Sequence, residues 1–324
     1  MNVPMDEWLD LLRREYLSEF VPSGGSAVKI VVSSEAERQI VQERVADAAQ
    51  SLGYVVARVD AGHTKVHMID WIFHAVARQV DWDGLTARWL RDRMRENGIL
   101  VEDDQPLHEM DAIARANGQF KPQLLGEINR LIQSGILTDH ALSKEFRTAM
   151  AMLCLGQVNP ENVSASDAEL VKQWLLGDKC HLTALKRVGI YQHVGRQNAR
   201  FLLTSLCAWL GKMGIPGLLL LLDISVVVAD TPPSGNVIRY TRPGLLDTYE
   251  VLRQFIDDTD EVHNFILVVL SGPGITDIHN ARRNVENYTA LKMRIVEDVH
   301  DRSRANPLNI LVAIEPAGSG GCPE

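Results

Sequence analysis

The stretch Ile215–Ala229, IPGLLLLLDISVVVA, decides the fold. A Gly-Ile-Pro-Gly turn at 214–217 releases five consecutive leucines, Leu218–Leu222, and these end at Asp223. The run is bounded by turn residues and is too short to cross a bilayer. It does not alternate polar with apolar, as a strand with one wet face would, so it predicts a strand buried on both faces of a parallel sheet. A carboxylate at the C-terminal end of such a strand stands where open α/β sheets bind ligands. In nucleotide hydrolases that carboxylate organises Mg²⁺. The plainer reading is a central strand followed by a polar turn.

Working outward, the downstream chain repeats the pattern. A proline-bearing loop over 230–243 is followed by a helix at Leu245–Ile256 and a second apolar strand, Phe265–Leu270, FILVVL. That strand ends in the turn Ser271-Gly272-Pro273-Gly274. Residues 275–302 read as mostly helical with a break near Asn287, and Leu308–Ile314, LNILVAI, as a last strand. Upstream, Ala27–Ser33 is a β-branched run, and Ser34 followed by Glu35 has the form of a helix N-cap with acids in the first turn. That helix runs to about Leu52 and closes on Gly53, and Tyr54–Asp60 is the next strand. This strand–helix–strand unit has the length of a parallel crossover. Residues 66–80 form an apolar-faced helix. No convincing strand occurs over 84–200, where the periodic segments read as short helices. A strong helix over 196–212 leads into the leucine run.

The expected fold class is therefore α/β, a parallel sheet flanked by helices with a large helical insertion. The expected division is one domain over 1–314, with a core at 1–83 and 196–314, an insertion at 84–195 and a disordered tail at 315–324. Composition agrees: 46% hydrophobic residues supply a sizeable core, and a net charge of −9 argues against general attraction to nucleic acid, leaving only local basic helix faces. Those faces, Lys186, Arg187, Arg196 and Arg200, and Arg282, Arg283, Lys292, Arg294, Arg302 and Arg304, are ordinary solvated surface unless an acidic partner or DNA uses them. Four cysteines without CxxC spacing exclude a zinc ribbon and fit a reducing compartment. With no signal-like N-terminus and no membrane-length apolar run, the expectation is a cytoplasmic protein that does not enter membranes.

A phosphate-binding loop belongs between the first strand and its helix, rich in glycine and carrying a lysine. The residues there are Ser33-Ser34-Glu35-Ala36-Glu37-Arg38, with neither. Glutamates at a helix start compete with phosphate for the same dipole. Gly24-Gly25-Ser26-Ala27-Val28-Lys29 lies before the strand and reads as a turn. Asp223 is followed by Ile224, which cannot take a proton, where active ATPases carry a second acid. His63 and His67, with Asp70, have metal-ligand spacing on a helix, but the better reading is a helix cap and a buried, satisfied histidine.

Four longer stretches carry a resemblance: residues 6–32, DEWLDLLRREYLSEFVPSGGSAVKIVV; 57–82, ARVDAGHTKVHMIDWIFHAVARQVDW; 195–223, GRQNARFLLTSLCAWLGKMGIPGLLLLLD; and 286–299, ENYTALKMRIVEDV. Together they resemble the BrxD-like ATP-binding-domain family of bacterial phage-defence (BREX and related methylation-associated) systems. The resemblance implies a P-loop NTPase core of the AAA type, with ATP and Mg²⁺ bound at the loop after the first strand and at the end of the leucine strand. It places Ser33, Ser34 and Glu35 at the nucleotide loop, Asp223 at the Walker B aspartate and sole metal-organising position, and Ser271 at a sensor position. The Walker A loop and the catalytic acid have no match, so no catalytic residue is assigned. The expected role is a non-hydrolysing, ATPase-like subunit that assembles with other subunits of the defence complex, as a homo- or hetero-oligomer. The alternatives are an active ATPase motor or switch using Glu35 or Glu37, and a DNA-binding adaptor.

Overall fold

In the computed structural model, residues 2–160, 163, 165–231, 235–277, 279–280, 282–297 and 306–315 are described. The leucine run forms a strand, Leu218–Asp223, whose five leucines are at most 1% exposed. In chain order the strands are β1 (Asn2–Val3), β2 (Ser26–Val32), β3 (Val55–Asp60), β4 (Leu218–Asp223), β5 (Phe265–Ser271) and β6 (Leu311–Ile314). They form one parallel sheet in the order β1-β6-β2-β5-β4-β3. Every residue of β2 and of β5 is buried, which explains why these runs show no alternation.

The helices of this part are α1 (Met5–Leu11), continued by a π-helical segment over Leu12–Phe20, and α2 (Glu35–Ser51) and α3 (Ile69–Ala77). One face of the sheet, with Ala27, Val31, Leu219, Leu221, Ile266 and Val268, forms one apolar cluster with Trp8, Leu12 and Leu17 and with Val41 and Val45 of α2. A second unit is all helical: α4 (Trp82–Glu96), α5 (Met110–Ala116), α6 (Lys121–Ile132), α7 (Lys144–Val158), α8 (Ala165–Leu176) and α9 (Leu182–Arg187). Its core is centred on Trp82, Trp89, Phe146 and Trp174, with Trp82 and Phe146 edge to face at 6.4 Å. The compact units comprise Met1–Gln79 with Cys207–Glu324, and Val80–Leu206. After α10 (Ala199–Lys212) and the short α11 (Ser225–Val228), α12 (Arg242–Asp257) places Phe255 against Phe265 at 5.8 Å, on the sheet.

Three sequence expectations differ from what is seen. The strand β1 was not anticipated, because two residues carry no periodicity; its pairing to Ala313 and Ile314 is purely tertiary. The crossover β2–α2–β3 does not join neighbours, since β5 and β4 lie between these strands. Residues 275–297 are less helical than expected: among the described residues, only short 3₁₀ turns at Pro273–Ile275 and Val285–Asn287 precede α13 (Thr289–Glu297). The expected tail lies outside the described residues except for Glu315, whose N–H donates to the Val3 carbonyl at 3.0 Å. Arg302 and Arg304 also lie outside them.

Asn264 knots the N-terminal ends of the central strands. Its φ is +55°, the left-handed region that Asn tolerates better than most residues. Its Nδ2 donates to the carbonyls of Val21 and Pro216, both at 3.1 Å, and its own carbonyl accepts from Leu218 N–H at 2.9 Å. Asn264→Ala is expected to lose about 1–3 kcal/mol in urea unfolding. Asn264→Gly, which keeps the backbone conformation, should lose less; an Ala variant as stable as wild type would show the knot to be idle.

On α12, Glu250 accepts from Arg253 Nη2 at 2.7 Å and from the Tyr288 hydroxyl, while Arg253 also pairs with Asp257, which Arg294 of α13 holds at 2.6 Å. The Arg253 hydrogen bond takes the Glu250 carboxyl from 4.5 down to about 2. Because the folded value is depressed, the stabilisation is present above the unfolded pKa and is lost as pH falls through the folded one. The difference in melting temperature between wild type and Glu250→Gln should therefore be greatest above pH 4.5 and vanish toward pH 2; a pH-independent difference would refute the assignment.

Candidate functional site

The parallel ladder brings the sequence candidates to one edge. Val32 is in register with Ser271, Leu270 with Asp223, and Asp223 with Asp60. The loops after β2, β4 and β5 thus leave the sheet side by side, where ligands bind in open α/β folds. Ser33 follows β2 directly, is 3% exposed, and donates its N–H to the Ser271 carbonyl at 3.1 Å. Its hydroxyl is buried without a hydrogen-bond partner. Ser271 closes β5, is fully buried, and turns its hydroxyl onto the Gly272 carbonyl at 3.2 Å.

The helix start is occupied from within. Ser34 is the N-cap of α2: its N–H donates to Glu37 Oε2 at 3.0 Å, and its Oγ accepts from Glu37 N–H at 3.4 Å. This reciprocal capping box uses two of the orphan donors that a phosphate would take. Glu37 is 4% exposed, so its carboxylate is built into the turn. Glu35 is exposed at the first helical position and adds a second negative charge at the positive end of the dipole.

One turn further along α2, Arg38 reaches the end of β4. Its Nε donates to Asp223 Oδ2 at 3.0 Å, with side-chain exposures of 13% and 20%. The other carboxylate oxygen, Oδ1, accepts from Ser225 N–H at 2.8 Å. Both oxygens of Asp223 are engaged, one of them by a guanidinium. Ile224 is fully buried, with its N–H bonded to the Leu270 carbonyl at 2.9 Å, so the residue after Asp223 is apolar and enclosed. At the neighbouring strand end, Asp60 turns back to accept from Gly62 N–H at 2.7 Å, and His63 Nε2 lies 3.8 Å from its Oδ2.

Sequence reasoning named Asp223 but missed its partner. Nothing local marks Arg38 as the counterion of a residue 185 positions away; only the ladder puts them together. The glutamates of the loop were legible as competitors for the dipole, and the structure selects Glu37 as the one that folds back. His67 lies edge-on to the Tyr240 ring at 5.7 Å. The Tyr240 hydroxyl donates to the Thr64 carbonyl at 2.7 Å and lies 3.0 Å from the Ala61 carbonyl, and its burial pushes the phenol up to about 12. Among the described residues, no group of three or more His, Cys, Asp or Glu side chains is placed to hold a metal ion. No helix among them is long and apolar enough to cross a membrane.

The family of BREX system ATP-binding proteins BrxC/D matches residues 105–316. This is well over half of the chain, and the chain belongs to that family. The matched span contains Asp223 and Ser271 and begins downstream of Ser33, Ser34 and Glu35. Among curated proteins and among solved structures, none matches the chain.

A partly buried ion pair is costly to break on one side, because the remaining charge is left desolvated. A double-mutant cycle between Arg38→Ala and Asp223→Ala, followed by urea unfolding, is expected to give a coupling of about 1–3 kcal/mol. Additive losses would mean that the two groups do not interact in solution.

Proposed function

We propose that this chain is a non-hydrolysing, ATPase-like subunit of a BREX phage-defence system, acting through assembly with the other subunits. Family membership supports the system and the nucleotide-binding ancestry. The sheet supports a P-loop NTPase core of the AAA type: the resemblance gives β5 the sensor position, and β5 stands between β2, which leads to the Ser33 loop, and β4, which ends at Asp223. The single observation that carries the non-hydrolysing reading is the internal neutralisation of the site. Arg38 holds Asp223, and Glu37 holds the N–H of Ser34.

Hydrolysis of a nucleoside triphosphate needs a cradle for the β- and γ-phosphates, a metal ion to spread their charge, and a group to orient the attacking water. The loop after β2 offers a carboxylate in place of the cradle. Asp223, the candidate metal position, already has a cation. Ile224 offers no proton acceptor. The assembly role follows from what is retained, since the sheet and its helices are intact while the departures fall on the chemistry. The helical unit over Val80–Leu206 is the candidate surface for partner subunits.

The family description, ATP-binding, favours one second reading. In it, Arg38 swings off Asp223 when Mg²⁺–ATP arrives, and the chain binds nucleotide as a switch.

Titration calorimetry with ATP, with and without Mg²⁺, separates the two. The non-hydrolysing reading expects no Mg²⁺-dependent binding and a turnover equal to that of Asp223→Ala. Mg²⁺-dependent binding with a Kd tighter than about 100 µM, lost in Asp223→Ala, would establish the second reading and overturn the first. Co-purification with the other subunits of the same system tests the assembly role; a chain that elutes alone when co-expressed with them would remove it.

A further inference from the structure

Among the described residues, four large hydrophobic side chains are 60% or more exposed: Leu100 at 68%, Phe120 at 81%, Tyr191 at 60% and Phe201 at 63%. All four belong to the helical unit Val80–Leu206. They fall in two stretches of opposite charge. Residues 96–120 carry six Asp and Glu against one Arg, and residues 179–201 carry five Lys and Arg and no acid. The second stretch contains Lys186, Arg187, Arg196 and Arg200, a basic face that the function proposed above does not use.

We propose that the partner of this basic face is a second copy of the chain, whose acidic stretch docks on it with the exposed apolar side chains between them. Both stretches present those side chains from fixed turns. Leu100 N–H donates to Asn117 Oδ1 at 2.7 Å, and Asn117 Nδ2 donates to the Leu100 carbonyl at 2.9 Å. Three residues, at most about 10 Å of chain, lead from Asn117 to Phe120. On the basic side Asn198 accepts from Gly195 N–H at 2.8 Å and donates to the His193 carbonyl at 3.1 Å. It thereby ties the turn after Tyr191 to the start of α10, which bears Phe201.

The charges left over after internal pairing keep opposite signs. On the acidic side, Glu96, Asp103 and Asp111 pair with Arg93, Arg95 and Lys121. Glu102, Asp104 and Glu109 are exposed and make no ion pair among the described residues, and Glu127 accepts from Gln119, the neighbour of Phe120. Against these four carboxylates stand Arg115 and the half-buried Arg91, each donating to a backbone carbonyl. On the basic side Arg187 pairs with Asp167. Lys179, Lys186, Arg196 and Arg200 remain, joined by Lys144, whose ammonium lies 5.6 Å from the centre of the Tyr191 ring. Asp178 and Glu145 at the margins offset two of these five cations. Nucleic acid would use the basic face alone and leave Leu100 and Phe120 bare. A second copy covers both faces, its charges fixing which face meets which.

The test is sedimentation equilibrium of the full chain by itself. At about 100 µM protein and about 50 mM salt it should reach the mass of two copies or more, and about 0.5 M salt should weaken the association at least about tenfold. Glu102→Lys with Asp104→Lys, and separately Lys179→Glu with Arg196→Glu, change only exposed side chains. Each variant alone should keep the wild-type melting temperature and associate at least about tenfold more weakly. An equimolar mixture of the two should associate as wild type does, because each supplies the face that the other lacks; a folding defect would not be repaired this way. Phe120→Ser should weaken wild-type association several-fold. The proposal fails if the wild-type chain is monomeric at about 100 µM in low salt, if either charge variant associates as wild type does, or if the mixture stays monomeric. A monomeric chain that still co-purifies with the other subunits would overturn this pairing and leave the assembly role standing.

Discussion

The edge of the sheet is closed by one electrostatic arrangement, on which the functional character of the chain depends. Arg38 projects from the first turns of α2 to the carboxylate that ends β4, and Glu37 folds onto the backbone N–H that begins α2. The chain thus supplies Asp223 with a cation and the Ser34 N–H with an acceptor. A partly buried arginine and aspartate hold each other because either one alone would be a desolvated charge. A capping box holds because each member satisfies an orphan donor of the helix. Apart from the Ser33 hydroxyl, which has no partner, these groups form a satisfied network, and displacing it requires breaking both elements.

The scaffold beneath that edge is indifferent to the substitution. The strands β2, β4 and β5 are buried along their lengths, and their stability comes from apolar area and from the ladder rather than from the groups at their ends. This separation lets the sheet stand whatever residues occupy the loop after β2, where this chain carries acids. Loops at strand ends accept exchange of chemistry because the core does not use them. The N-terminal end of the same sheet shows the converse. There, among the described residues, β6 pairs only with Ile30–Val32 of β2, and Ser26–Lys29 line a cavity with residues of the π-helical segment and with Leu308 and Ile310.

Much of the architecture was legible in residue patterns. Continuous apolar runs at Leu218–Leu222 and Phe265–Leu270 have one physical solution, burial on both faces, and both became central strands. Ser34 and Glu37 stand at the spacing of a capping box, and they form one. What was not legible has long-range causes. The two-residue β1 exists only because β6 offers it an edge, and the places of β4 and β5 between β2 and β3 follow from packing choices that no local pattern encodes. Residues 275–288 have helical-looking spacing, yet Asn280, Arg283 and Asn284 spend their hydrogen bonds on the carbonyls of Val228, Val227 and Asp277 and so form a loop.

The sequence by itself determined the α/β class of fold, its buried strands, and the absence of glycine and lysine from Ser33–Arg38 and of an acid after Asp223. These follow from residue type and short-range spacing, which act through burial and helix capping alone. Only the tertiary structure decided what fills the emptied site. Arg38 and Asp223 are 185 residues apart, and their attraction is expressed only after the parallel register sets the end of β4 beside the start of α2.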